Sequence, residues 1–115
     1  MSRWMVTTPL PDALAADGLE TIERLRSDDP KRAKADQAYA FIYAVAEHSL
    51  TYHFREPLAE LGVGRVTRKA LDVALDLALK GIRRSIQSVL GGMDEAQLEG
   101  VADAIEYRLY PDPHG

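Results

Sequence analysis

The 115-residue chain contains no cysteine. It therefore has no disulfide framework, no thiolate metal ligand and no cysteine nucleophile, a composition that fits a reducing compartment. No apolar run approaches the roughly 18 residues that are needed to span a bilayer. The first residues, MSRWMVTTPLPDAL, lack the apolar region of a signal peptide. We therefore expect a cytoplasmic protein without a membrane span.

Signatures of catalysis and of cofactor binding are also missing. Gly62 and Gly64 are not followed by the Lys-Ser/Thr pair that completes a phosphate-binding loop, and no nucleophile motif surrounds any serine. The Glu-x-x-His repeats of a di-iron bundle do not occur. We expect no cofactor and no metal, and the sequence favours a non-catalytic protein over an enzyme.

The net charge of −4 is unevenly distributed. Residues 1–30 carry three basic and six acidic side chains, residues 31–90 carry ten and six, and residues 91–115 carry one and six. The acidic total argues against general affinity for nucleic acid, whereas the basic middle leaves a local patch open. In the simpler interpretation, acidic terminal helices pack beside basic central helices and neutralise them.

Apolar residues recur at helical rather than alternating spacing along the whole chain. This pattern predicts an all-α fold, a compact bundle of four to five helices with two long central helices at about 30–54 and 65–90. The length is typical of one domain, so we expect a single helical domain over residues 1–115. Residues 1–8 and 111–115 are expected to be flexible.

Local signals place the early helices. A weak first helix is expected after Pro11, with a break at Gly18 and a restart that runs to about Ser27. Asp29 and Pro30 predict the next helix start, because an N-cap carboxylate there precedes a proline whose missing N–H costs nothing.

Two further signals bound the later helices. Pro57 should push Glu56 out of the α region, so the helix from residue 30 is expected to end near Arg55. Asp94 and Gln97 match a capping box at the start of the last helix.

The predicted helix at 65–90 has one narrow polar stripe and an apolar arc of roughly 200°. The residues opposite the stripe are small: Ala70, Ala74, Ala78, Gly81, Ser85 and Ser88. Small residues let a neighbouring helix approach closely, so this row is expected to contact helix 30–54. A Gly81→Leu substitution should then overpack the contact at a cost of about 1–3 kcal/mol.

Residues 57–71, PLAELGVGRVTRKAL, resemble the helix-turn-helix segment of winged-helix and repressor families. The spacing differs from that pattern. With Gly62 at the turn, Leu58 takes the position of a small residue and Arg68 that of a buried aliphatic one, and no other register fits better. The resemblance therefore implies no DNA-reading motif.

Basic side chains on the central helices still form a candidate surface, because phosphate contacts need charge more than shape. The candidates are Arg65, Arg68, Lys69, Arg83 and Arg84. A nucleic-acid-associated regulator is accordingly the alternative to the main hypothesis given below.

The histidines do not form a metal pair. His48 and His53 are five residues apart and so lie on different helix faces. His48 falls on the polar face of its helix, whereas His53 falls in the buried arc. A histidine in that position is usually satisfied by a hydroxyl or a carbonyl. A small-molecule or catalytic pocket around His53 is the less favoured interpretation.

Tyr39 and Tyr43 lie one turn apart, a spacing typical of the core but also found at interfaces. Tyr107, Tyr110 and Trp4 near the chain ends are further candidates for such an interface. Two long helices with wide apolar arcs have more surface to bury than short flanking helices can cover. We therefore predict a helical protein–protein interaction or regulatory module that binds a protein partner or a second copy of itself. As a homo-oligomer it is expected to form a dimer.

Overall fold

A computed structural model describes residues 7–111. Over this range the chain forms five α-helices and one π-helical segment, without strands: α1 (Asp12–Leu25), α2 (Lys31–Leu50), the π-helical segment (Thr51–Arg55), α3 (Glu56–Glu60), α4 (Arg65–Gly91) and α5 (Glu95–Arg108). The predicted all-α class is confirmed. Residues 1–6 and 112–115, most of the two ends expected to be flexible, lie outside the described range.

The four longer helices contribute to one core. Its fully or nearly buried side chains come from α1, α2, α4 and α5: Ile22, Leu25, Ala38, Leu90, Leu98 and Ala102. Tyr39, Ile86 and Leu109 pack around them and are partly buried. The core thus lies where α1, α2 and α5 meet, and α4 packs against α2 and reaches the core with Leu90 near its C-terminal end.

Helix α1 passes through Gly18 without the predicted break. A Cβ atom at Gly18 would lie 2.7 Å from Cδ2 of Leu109 and 2.8 Å from Cζ of Phe41. Gly18 therefore lets α1 lie close to Phe41 and Leu109, and it does not interrupt the helix. This tertiary contact compensates for the low helix propensity of glycine.

The chain does not leave helical geometry before Pro57. Glu56 has φ −63° and ψ −50°, in the α region, so the predicted end near Arg55 is wrong. The N–H of Glu56 donates to the carbonyl oxygen of Thr51, an i to i−5 bond. A proline ring clashes with the carbonyl four residues earlier, and a wider π turn just before it gives that ring room. The helix changes pitch here and continues to Glu60.

Helix α4 is continuous through Gly81, as predicted, but it contacts the rest of the chain with a different face. Its buried and half-buried apolar residues are spaced four, four, three, four and four apart: Leu71, Leu75, Leu79, Ile82, Ile86 and Leu90. The small-residue row from Ala70 to Ser88 is exposed, and nothing lies within 4 Å of a Cβ built at Gly81. The expected burial of the small-residue row inside the single chain is therefore wrong. The buried and half-buried leucines and isoleucines pack there instead, because their larger side chains bury more apolar area against α2.

Helix ends follow the sequence signals in part. The capping box is confirmed: Asp94 Oδ1 accepts from the N–H of Gln97 at 2.8 Å, and Gln97 Oε1 accepts from the N–H of Asp94 at 2.9 Å. At α2 the helix begins at Lys31, and Pro30 occupies the N-cap position without a side-chain cap. The expected cap by Asp29 is therefore wrong.

Salt bridges between helices do not join the acidic ends to the basic middle in the described chain. Arg26 at the end of α1 binds Asp103 Oδ1 at 2.7 Å and Glu106 Oε2 at 2.9 Å, both on α5. Arg55 faces Asp72 and Asp76 on α4. Each of these bridges stays within the terminal helices or within the central ones. The terminal helices α1 and α5 do pack against α2, and the mutual neutralisation of the acidic ends and the basic middle stays a prediction. None of the described helices combines the length and the apolar character that crossing a bilayer requires.

Candidate interaction surface on helix α4

Helix α4 has a second apolar face, opposite the one that packs inside the chain. On a 100° wheel its residues fall within one 120° arc. We define this outer face as Val66, Ala70, Val73, Ala74, Leu77, Gly81, Arg84, Ser85 and Ser88, all of which are exposed. The two apolar faces explain the 200° arc, because one packed neighbour needs an apolar stripe only about 100° wide.

The large side chains of the outer face are open to solvent. The exposed fraction is 84% for Val66, 54% for Val73 and 63% for Leu77. Val89, at the border of the face, is 58% exposed. Single exposed apolar residues are ordinary on a protein surface. Val66, Val73 and Leu77, with Ala70 and Ala74 between them, instead form a continuous apolar row along about three turns of the helix, which is typical of an interaction site.

The outer face carries very little charge. Arg84 is its one ionisable member, and it has no carboxylate. Arg68, Asp72 and Asp76 lie away from it on the wheel. The surface is therefore suited to burial against a protein, since charged residues are depleted at the centres of such contacts.

Arg55 holds the acidic part of α4 against the π-helical segment. Its Nε lies 3.4 Å from Asp72 Oδ1, and its Nη2 lies 3.6 Å from Asp76 Oδ1. Arg55 Nε is buried and makes no hydrogen bond within residues 7–111. Its contacts with the two aspartates are therefore ion pairs without hydrogen-bond geometry. The polar stripe of α4 thus turns partly toward the π-helical segment, and the outer face points away from it.

The five predicted phosphate-contacting residues form two separate groups. Arg65, Arg68 and Lys69 lie at the start of α4, and Arg83 and Arg84 lie near its end, all of them exposed. Fourteen residues separate Lys69 from Arg83, about 21 Å along the helix axis. No salt bridge in residues 7–111 includes any of the five. The structure therefore does not gather them into one compact patch.

Tyr39 and Tyr43 stack as their spacing suggests. Their ring centroids are 5.9 Å apart at an interplanar angle of 27°. Both side chains are half-buried, and Tyr39 packs against the core while it also lines an open cleft with Arg32 and Gln87. This cleft lies between α2 and the end of α4, so the tyrosines are not part of the outer face.

Both helical histidines bind the segment that precedes α1. His53 Nε2 lies 2.8 Å from Thr8 Oγ1, and His48 Nε2 lies 2.7 Å from the carbonyl oxygen of Pro9. The ring of Tyr52 stands edge-on to His53, with centroids 5.0 Å apart. His53 is half-buried and has a hydroxyl partner, as predicted. His48 was expected on the polar, solvent-facing side of its helix, but it is also half-buried. Thr8 is thereby held to the helix, although it belongs to the end that was expected to be flexible.

The described histidines, carboxylates and remaining tyrosines do not come together in one site. Within the described range, no three histidine or carboxylate groups are arranged to hold a metal ion. The open clefts beside Arg55 and beside Tyr39 are not lined by His53. Tyr107 and Tyr110 near the end of α5 are exposed, whereas Trp4 lies outside the described residues.

Comparison with known proteins gives no relative to argue from. No protein-family model matches the chain, and neither a curated protein nor a solved structure is significantly similar to it. Function is therefore inferred from the geometry of the chain itself.

Sequence reasoning identified the right helix but assigned its faces wrongly. The outer face was placed inside the chain, because an apolar arc on a helical wheel does not show which part of it the same chain covers. The width of the arc was the available signal, since it exceeds what one neighbouring helix can bury.

Proposed function

We propose that this protein is a non-catalytic helical interaction module that associates with a second copy of itself through the outer face of α4. The observation that carries the proposal is the exposure of Val66, Val73 and Leu77 in one row. A row of this kind on one helix is energetically unfavourable in water, and association removes it from solvent.

The total surface supports a partner of substantial size. The chain exposes 8563 Å², whereas a compact monomer of its 12.7 kDa mass exposes about 6,200 Å². The ten residues outside the described range account for at most about 1,600 Å² of the difference, so roughly 760 Å² of excess remains. Specific dimers of standard size bury about 800 Å² on each subunit. The excess is thus of the size that one copy contributes to such a dimer.

A second copy fits the chemistry of the face. In a two-fold dimer the same patch meets itself, so the patch must tolerate its own charge. The outer face carries one arginine and otherwise only aliphatic or small polar residues. A basic partner would find no complementary carboxylates on this face. An equally apolar helix needs none, and it buries the same kind of surface.

The test compares two leucines that are equally exposed in the single chain. Leu77 on the outer face is 63% exposed, and Leu19 on α1 is 62% exposed. Size-exclusion chromatography with light scattering is run on the natural sequence, on Leu77→Glu and on Leu19→Glu over a range of concentrations. We expect about twice the 12.7 kDa chain mass for the first and third proteins. Leu77→Glu should have the mass of a single chain, because two carboxylates would meet at the contact.

Circular dichroism accompanies these runs and should give the same helical signal for both variants. The natural protein at single-chain mass across the concentration range would overturn the proposal. Loss of association in Leu19→Glu together with retention in Leu77→Glu would move the contact to α1 and overturn it as well.

A nucleic-acid partner is the second candidate, favoured by one observation. Arg65, Arg68, Lys69, Arg83 and Arg84 are all exposed and have no carboxylate partner within residues 7–111. Contacts to phosphate weaken steeply as salt rises. Mobility-shift titrations at low and moderate salt test this candidate, and the absence of a complex at both would remove it.

A further inference from the structure

The outer face contains a line of residues suited to one facing helix. Its members are spaced four, three, four, four, three and four apart: Val66, Ala70, Val73, Leu77, Gly81, Arg84 and Ser88. The mean spacing of about 3.7 residues is close to the 3.6 residues of one α-helical turn, so the line runs nearly straight along one side of the helix. The line therefore has a defined order in which its side chains would meet a second copy.

Side-chain size along this line is asymmetric about Leu77. Four residues before it stands Val73, and four residues after it stands Gly81. Seven residues away stand Ala70 and Arg84, and eleven residues away stand Val66 and Ser88. We call each of these three pairs of positions, at equal distances before and after Leu77, a level of the line. The two side chains of each level differ in size.

We infer that the second copy lies antiparallel, with Leu77 of both chains at the two-fold axis and Val73 of each chain over Gly81 of the other. This inference rests on the proposed self-association and specifies its geometry. Apart from the axis, where Leu77 meets Leu77, every level of the line then joins a larger side chain to a smaller one. Such alternation lets two helices interdigitate at the close end of the usual 8–10 Å spacing.

A parallel arrangement in the same register would pack less well at each of the three levels. It would oppose Gly81 to Gly81 and leave a gap, and it would oppose Arg84 to Arg84 in a largely desolvated contact. In the antiparallel register the two Arg84 side chains are about 21 Å apart along the axis, well beyond the Debye length of about 8 Å at physiological salt. Antiparallel helix dipoles also attract each other.

The chain has no cysteine, so single introduced cysteines report the register without further changes. Val73→Cys and Gly81→Cys chains that carry different tags are expressed together and also alone. Each preparation is treated with a short bis-maleimide under native conditions. Light scattering and circular dichroism of the untreated variants establish that they associate and remain helical.

We expect a covalent link between a Val73→Cys chain and a Gly81→Cys chain, and little or no link within either variant alone. In this register two copies of the same position lie about 12 Å apart along the axis. Self-linking of each variant would overturn the antiparallel register, although the proposed self-association would stand. Associated chains without any link would place the contact elsewhere and overturn the inference, and single-chain mass by light scattering would overturn both proposals.

Discussion

The side-chain amide of Gln37 donates a 3.0 Å hydrogen bond to Oγ1 of Thr21, which joins α2 to α1 inside the protein. Thr21 is fully buried, and its hydroxyl in turn donates to the carbonyl oxygen of Asp17 at 2.7 Å. Both functions of the hydroxyl are thus satisfied, as buried polar groups require.

Replacing Thr21 with valine keeps the shape but removes both bonds of the hydroxyl. We expect the free energy of unfolding to fall by about 1–3 kcal/mol, because the Gln37 amide loses its partner in a part-buried site. Gln37→Leu should cost less, since Thr21 still donates to Asp17. Urea denaturation of both variants and of the double variant measures the coupling. Strictly additive losses would contradict a direct bond between the two side chains.

Gly18 should not tolerate even a methyl group. A Cβ there would lie within 2.9 Å of ring atoms of Phe41 and of Leu109 Cδ2, so Gly18→Ala is expected to lower stability by about 1–3 kcal/mol through overpacking. Gly100 lies inside α5 with no atom within 4 Å of the corresponding position. Gly100→Ala should therefore raise stability by up to about 1 kcal/mol through helix propensity. Thermal melts check the opposite signs, and a stabilising Gly18→Ala would refute the close contact.

The salt bridge between Arg26 and Glu106 should make the free energy of unfolding depend on pH in the acidic range. Hydrogen bonding and charge attraction from Arg26 hold the pKa of Glu106 below its ordinary value. A carboxyl whose pKa is lowered by folding stabilises the folded state above its unfolded pKa, and this contribution is lost as pH falls through the folded pKa. We expect the unfolding free energy to fall as pH drops from the ordinary glutamate range downward.

Glu106→Gln should remove part of that acid dependence. Glu99→Gln is the matched control on the same helix, because Glu99 makes no salt bridge in the described chain. Urea denaturation at several pH values below neutrality distinguishes the two variants. Equal acid dependence in Glu106→Gln and the natural protein would show that the bridge does not contribute.

The segment before α1 should loosen when its two histidine anchors are removed. Replacing His48 and His53 with phenylalanine removes the bonds to Pro9 and Thr8, each of which contributes about 1 kcal/mol. Amide hydrogen exchange should accelerate around residues 8–15, while α5 serves as the internal reference. Unchanged exchange in that segment would mean that apolar contacts alone hold it.

Gly81→Leu separates the sequence-based expectation from the structural one. Nothing lies within 4 Å of a Cβ at Gly81 in the single chain, so we expect the substitution to leave monomer unfolding largely unchanged. It should instead weaken self-association, because Val73 of the second copy would lose the space that Gly81 provides. Melting curves at low and high protein concentration separate these effects, and an equal loss at both would contradict the exposed position of Gly81.

The amino-acid sequence alone determined the helices. The 3.6-residue periodicity, the capping box at Asp94 and Gln97 and the turn at Gly62, which has φ +69°, all act within a few residues. Such interactions depend on neighbours along the chain, so α4 and α5 were predictable to within a residue or two. The helix at Pro57 was mispredicted because a π turn resolves a local clash in a way that proline statistics do not indicate.

The tertiary structure decided which faces of these helices are covered. The low helix propensity of Gly18 predicted a break in the helix. Phe41 and Leu109, which are remote in sequence, instead pack against Gly18. On α4 the sequence offered two apolar faces, and the chain has only enough neighbouring helix to cover the branched one. Which face is buried depends on how much area each arrangement removes from water across the whole fold, and that sum includes residues far apart along the chain.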